Sequence, residues 1–186
     1  MNDKEKNSWK TLSSELKFET PWIKVTKHDV LNPAGKPGIY GVVTFKNLAI
    51  GVLPIDNEYN TWLVGQWRYP LGKYSWEIPE GGGPLSEEPL DSAKRELKEE
   101  TGIIAKKYTE IARMHTSNSA TTEYAILFVA QDLEFKEAEP EESEDLQIKK
   151  VSFQEAYNMV MTGEITDSLS MVTILKAKIL IDRGEL

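Results

Sequence analysis

The chain has 186 residues, enough for one well-buried domain and short of two. A net charge of −8 argues against a nucleic-acid backbone as partner, and the lack of any cysteine excludes disulfides, thiolate catalysis and a cysteine zinc site. With no apolar run of about 18 residues and a polar start, MNDKEKNSWK, neither a membrane span nor a signal peptide is expected, and a cytoplasmic address is the default.

In chain order, residues 1–15 are polar and read as loose or peripheral. Residues 16–28 read as one or two short strands, interrupted at Thr20-Pro21. The Gly, Pro and Asn of residues 31–38 mark a turn. Strand-like runs follow at Ile39–Phe45, Leu48–Pro54 and Thr61–Trp67, and Ser75–Ile78 reads as a short strand entering a glycine loop, EGGG. Pro89 suits the first turn of a helix and Gly102 the position just past its end. Tyr108–His115 and Tyr124–Ala130 are strand-like. Asp132–Asp145 holds eight acidic residues in fourteen and reads as a long acidic loop. A strand at Gln147–Val151 leads into Ser152-Phe-Gln-Glu155, a capping box that opens a helix to about Gly163. The last helix runs from about Ser168 to Arg183, with Val172, Leu175 and Ile179 at helical spacing. Interleaved strands and helices, some close enough to pair directly, favour an α/β fold with a mixed sheet and helices on its faces.

The chemistry concentrates in residues 77–103, EIPEGGGPLSEEPLDSAKRELKEETGI. On a helix, Leu90, Ala93, Leu97 and Thr101 fall on one face, expected to pack on the sheet. Glu96, Glu99 and Glu100 cluster on another arc at i, i+3 and i, i+4, where like charges repel unless a cation intervenes. Carboxylate oxygens are the ligands that Mg²⁺ prefers, with water and phosphate completing its octahedron. An acidic chain can therefore hold an acidic ligand through a divalent cation.

The spacing is a glycine, five residues, a glutamate, seven residues, then Arg-Glu-aliphatic-any-Glu-Glu-any-Gly-aliphatic. It resembles the Nudix box, with Gly81, Glu87, Arg95, Glu96, Leu97, Glu99, Glu100, Gly102 and Ile103 at its positions. A solvated acidic helix face would give the same glutamates, but not both glycines and Glu87 at those distances. The resemblance implies a Nudix α/β/α sandwich and a metal-dependent hydrolase. It implies that Arg95 and Glu87 pair to hold the loop, and that Glu96 and Glu100 bind metal with Glu99 assisting. Glu80 would offer its backbone carbonyl. Its side chain stands where many relatives have alanine, and either adds a ligand or faces solvent. The expected cofactor is Mg²⁺, with Mn²⁺ as the alternative.

Features outside the box resemble the ADP-ribose pyrophosphatase and nucleoside diphosphate sugar hydrolase branch. VGQWRYP at 64–70 implies that Arg68 contacts the pyrophosphate, where a planar cation suits phosphate oxygens. The acidic segment implies a loop glutamate that orients or deprotonates water, Glu142 as base with Glu144 on the metal side, or the reverse. Glu123 resembles a glutamate near the terminal sugar. Ser117-Asn118-Ser119 replaces a Ser-Pro-Gly context and leaves room for GDP-mannose or ADP-glucose beside ADP-ribose. Trp22 and Tyr40 are candidate base-stacking residues, with a core or interface role as the plainer reading. The branch implies a homodimer in which residues 1–45 supply dimerising antiparallel strands and 46–186 the catalytic domain. The competing readings are a Nudix hydrolase of dinucleoside polyphosphates, capped RNA or damaged nucleotides, and a catalytically silent ligand sensor.

Overall fold

The computed structural model describes residues 6–138 and 145–186. Two compact units are present. One comprises the residues up to Asn47 together with Ser117–Glu123, and the other Leu48–Thr116 with Tyr124–Leu186.

The first unit is an antiparallel sheet of β1 (Lys10–Glu19), β2 (Ile23–Leu31) and β3 (Pro37–Phe45) in that order. Lys10–Glu19 is thus a strand where the sequence reading leaves a loose start, because Leu12, Leu16 and Phe18 alternate with polar residues. Thr20 is the break: its hydroxyl accepts from the backbone N–H of Trp22 and Ile23 and reverses the chain. Asn32 does the same at the next turn for Ala34 and Lys36. Segment 117–123 adds to β3 through a parallel bridge between Thr121 and Val43.

The second unit has two sheets where one mixed sheet is expected. β4 (Asn47–Pro54), β7 (Glu80–Pro84), β8 (Ile103–His115) and β9 (Tyr124–Phe135) form a four-stranded sheet in the order β7-β4-β9-β8. It is mixed, since β4 and β9 run parallel while β8 and β9 are antiparallel. β5 (Asn60–Arg68), β6 (Lys73–Glu77) and β10 (Gln147–Ser152) form an antiparallel sheet in the order β10-β5-β6. The predicted EGGG loop is part of β7. The predicted acidic loop begins late, because β9 continues through Asp132 to Phe135.

Side-chain alternation in β4 and β9 sorts the interior into two layers. Ile50, Val52, Ile126, Phe128 and Ala130 face one core together with Ala93 and Leu97 of α1 (Pro89–Thr101). Leu53, Leu127 and Val129 face the other with residues of α2 (Phe153–Thr162) and α3 (Ser168–Asp182). Each helix starts and stops for a local reason. Pro89 opens α1 and Gly102 closes it at φ +70°. Ser152 caps α2 by accepting from Glu155 N–H. Asp167 caps α3 by accepting from Ser170 N–H. Two face assignments need correction. Ala93, Leu97 and Thr101 are buried as expected, but Leu90 is 38% exposed, and Ser92, Glu96 and Glu100 share the buried arc of α1. The buried stripe of α3 is Leu169, Ser170, Thr173, Ile174 and Ala177, with Ile179 outside it. Among the described residues, no helix is long and apolar enough to cross a membrane.

Leu97 is fully buried between α1 and the four-stranded sheet. Leu97→Ala is expected to lower unfolding free energy by about 2–5 kcal/mol, read from urea midpoints.

Candidate active site

α1 brings two glutamates to its buried side. Glu96 is 7% and Glu100 2% exposed, an unusual place for carboxylates. Two devices let them sit there. At Gly81, any Cβ would overlap the Glu96 carboxylate, so the glycine is needed for closeness rather than for a left-handed backbone. Glu80 N–H donates to Glu100 Oε2 at 2.9 Å, so β7 reads the helix through its backbone. Arg95 supplies the cation. It reaches Glu96 at 2.8 Å, Glu99 at 2.9 Å and the Gly82 carbonyl at 2.9 Å. Its separation from Glu87 is 3.9 Å, and Glu87 instead accepts from Ser92 Oγ at 2.5 Å. Arg95 therefore holds the loop mainly through Gly82, with Glu87 at the margin. Burial works against its charge, but Glu96 and Glu99 keep its pKa above the ordinary value.

A second network adjoins the first. Arg68 donates Nε to both oxygens of Glu77 at 3.0 Å, and Nη2 to Glu77 at 2.5 Å and Glu80 at 2.7 Å. Glu77 is 2% exposed, and the sequence reading passed over it. The signal was present but faint: an acid at an inward position of β6, across a hairpin from Arg68. Glu80 does not face solvent. Its Oε2 is buried and finds no hydrogen-bond donor among the described residues. Burial, then the nearby Asp167 and Glu77 carboxylates, push its pKa well up, against the pull of Arg68. Asp167 was legible only as a helix cap, because nothing local says that it lies against Glu80. Ser170 Oγ, on the next turn, accepts from Ile78 N–H at 2.9 Å and ties α3 to the entry of β7.

Gly102 has a further task. A Cβ there would strike the Lys136 carbonyl, and Lys136 N–H donates back to Gly102 O at 2.8 Å. The end of α1 is thereby fastened to the start of the acidic segment. Glu142 and Glu144 lie outside the described residues. Trp22, Tyr40 and Glu123 belong to the first unit. Trp22 is 67% exposed. Tyr40 donates to the Ser119 carbonyl at 2.5 Å and meets Trp9 edge-on at 5.3 Å. Ile23, next to Trp22, pairs with Phe45, while Tyr40 pairs with His28. Five residues of strand, about 17 Å, therefore separate the two within one chain.

The donor set suits a hard divalent cation. Arg68 pairs with Glu77 and Glu80, and Arg95 with Glu96 and Glu99, so that with Glu100 five carboxyl groups gather by two guanidinium groups, oxygen donors of the kind such an ion prefers. Among the described residues no three such side chains already converge on one point. Arg95 and Glu80 N–H engage the oxygens that would have to turn.

Comparison with known proteins agrees with this geometry. Residues 45–168 match the NUDIX domain model. The chain belongs to the NUDIX family. Residues 9–43 match the model of the nucleoside diphosphate sugar hydrolase N-terminal domain. An ADP-ribose pyrophosphatase of Bacillus subtilis (strain 168) is 34% identical, covering 89% of this chain and 90% of its own. A methanol dehydrogenase activator of Bacillus methanolicus is 31% identical with the same coverage. A solved structure of an ADP compounds hydrolase superposes with a TM-score of 0.84 over 96% of this chain and 97% of its own, at 19% identity, which speaks to the fold. Nudix hydrolases generally use a divalent metal ion.

Two outcomes follow from these contacts. Gly102→Ala should cost about 1–3 kcal/mol of stability, because it strains φ and displaces Lys136. Glu80, whose carboxyl pKa is raised by burial, binds its proton more tightly in the folded chain. Its ionisation therefore erodes stability as pH climbs above the unfolded value near 4.5. In EDTA, Glu80→Gln should match wild type in urea midpoint below that pH and exceed it at pH 8. An equal or lower midpoint at pH 8 would contradict the burial argument.

Proposed function

We propose that this Nudix pyrophosphohydrolase cleaves the pyrophosphate of nucleoside diphosphate sugars of the ADP-ribose or GDP-mannose type, with Mg²⁺, to a nucleoside monophosphate and a sugar phosphate. The observation that carries the reading is the pair of buried carboxylates, Glu96 and Glu100, seated against the Gly81 and Glu80 backbone. The nucleoside diphosphate sugar hydrolase model over residues 9–43 and the ADP-ribose pyrophosphatase relative support the substrate class.

In this reading Glu96, Glu99, Glu100 and the Glu80 carbonyl would hold the metal, which would supply positive charge against the pyrophosphate and acidify water. The protein does the remaining work. Arg95 keeps the metal glutamates apart from bulk water and the loop against α1. Arg68 holds Glu80 in place and turns its remaining edge to the pyrophosphate. Glu142 or Glu144 takes the proton of the attacking water. The new P–O bond forms as the anhydride P–O bond breaks, and the leaving phosphate carries off the electron pair. Trp22 and Tyr40 serve the base, and Glu123 the terminal sugar.

The domain division at 45/46 and a cytoplasmic address belong to the same proposal. So does a homodimer, in which residues 1–45 meet a second copy. Support for the dimer comes from Leu12, Leu16 and Phe18 on β1 and Trp22 in the turn after it, large apolar side chains left exposed.

The experiment is product release over a panel of ADP-ribose, ADP-glucose, GDP-mannose, a dinucleoside polyphosphate and capped RNA. AMP or GMP should appear from the sugars with Mg²⁺ and not with EDTA. Glu100→Gln should lose roughly a hundredfold or more in kcat. Near wild-type turnover in that variant, or preference for the last two compounds, would overturn the reading.

A further inference from the structure

The flank of α1 that carries Lys94 and Lys98 borders a cleft of about 390 Å³, within the range of small-ligand sites. Lys94, Arg95, Lys98 and Glu99 line it from α1, and Ile104, Ala105 and Tyr108 from β8, so three cations face it with one carboxylate. β8 is the edge strand of its sheet, so backbone groups border the cleft as well. In a chain of net charge −8, this clustering of cations runs against the overall composition. Lys94 and Lys98 stand one turn apart, where side chains are neighbours and two ammonium groups can bracket one phosphate. Lys94 is paired with Asp91 at 3.0 Å, but both are at least half exposed, so the pair yields readily to a doubly charged group. Tyr108 is half-buried and offers an aromatic face beside the apolar floor of Ile104 and Ala105.

Cations on one wall and an aromatic, apolar surface on the other match a ligand with a phosphate at one end and a flat ring at the other. We propose that this cleft binds a nucleoside monophosphate, its phosphate between Lys94 and Lys98 and its base against Tyr108. Arg95 spans both sites, since it lines the cleft and holds Glu96 and Glu99. A phosphate that draws Arg95 outward loosens those glutamates. A nucleoside monophosphate is also a product of the proposed reaction, so the cleft provides product feedback. That consequence rests on the proposed reaction, whereas binding itself does not.

The test is calorimetric titration of the full chain with AMP in EDTA, where turnover is absent and the acidic metal face repels phosphate. Ribose 5-phosphate and inorganic phosphate are titrated in parallel. AMP should bind saturably, weaken as salt is raised, and bind several-fold more tightly than inorganic phosphate. The double variant Lys94→Gln/Lys98→Gln should weaken AMP roughly tenfold, with an unchanged unfolding midpoint. Tyr108→Ala should weaken AMP but not inorganic phosphate. The control Lys176→Gln, an exposed lysine on α3, should leave binding as it was. No saturation, no effect of the lysine pair, or an equal effect of Lys176→Gln would overturn the site. Equal affinity for AMP and inorganic phosphate would overturn the ligand class.

Discussion

Carboxylates withdrawn from water are the constraint from which the rest of this structure follows. An ionised glutamate in the interior is tolerated only when paired, hydrogen-bonded or bound to metal. α1 nevertheless turns Glu96 and Glu100 inward beside Ala93 and Leu97. Each surrounding feature reduces that cost. Gly81 gives up its side chain so that Glu96 has room, Glu80 gives its N–H to Glu100, and Arg95 spreads one charge over Glu96 and Glu99. A divalent ion held there, as proposed, would lower that cost further.

The fold serves this by clamping the short stretch between β6 and β7 from three directions. Ile78 N–H is held by Ser170 of α3, the Pro79 carbonyl by Val52 N–H of β4, and Glu80 N–H by Glu100 of α1. Successive residues thus answer to different elements, so that strand cannot shift without disturbing all of them. This explains why the four-stranded sheet must carry helices on both faces. α1 supplies the acids from one side, and the N-terminus of α3 fixes their backbone partner from the other.

What was legible in the sequence was whatever is encoded at fixed spacing along the chain. The box glycines and glutamates are of that kind, as are the Ser152–Glu155 capping box and Pro89 and Gly102 at the ends of α1. Leu90 lies on the arc of Leu97 two turns earlier, but the first turn of α1 is less covered than the rest, which periodicity alone does not tell. The strand at Glu80–Pro84 was hidden because three glycines read as a loop, yet glycine is what lets β7 lie against Glu96 and Ser92. Glu77 and Asp167 were illegible for a different reason. Their importance comes from a hairpin and from a contact across some ninety residues, neither of which leaves a local pattern. The two-layer core was implicit in the alternation of β4 and β9, but its division needed the helices in place.

Arg68 shows how such long-range contacts alter a role inferred from sequence. The resemblance assigns it to pyrophosphate, yet its Nε and Nη2 are already committed to Glu77 and Glu80. Glu80 gives the arginine a second carboxylate beside Glu77. The Nη1 edge of its guanidinium makes no hydrogen bond among the described residues. A planar five-donor cation can hold two acids on one side and meet a phosphate oxygen on the other, which an ammonium group on a single point could not do. The pairing therefore need not displace the proposed contact. It fixes the plane of the guanidinium in advance, so that the side chain loses less freedom when a ligand arrives. It also links Arg68, through Glu80, to the backbone that holds Glu100, so the proposed phosphate contact and the proposed metal ligands depend on the same few residues.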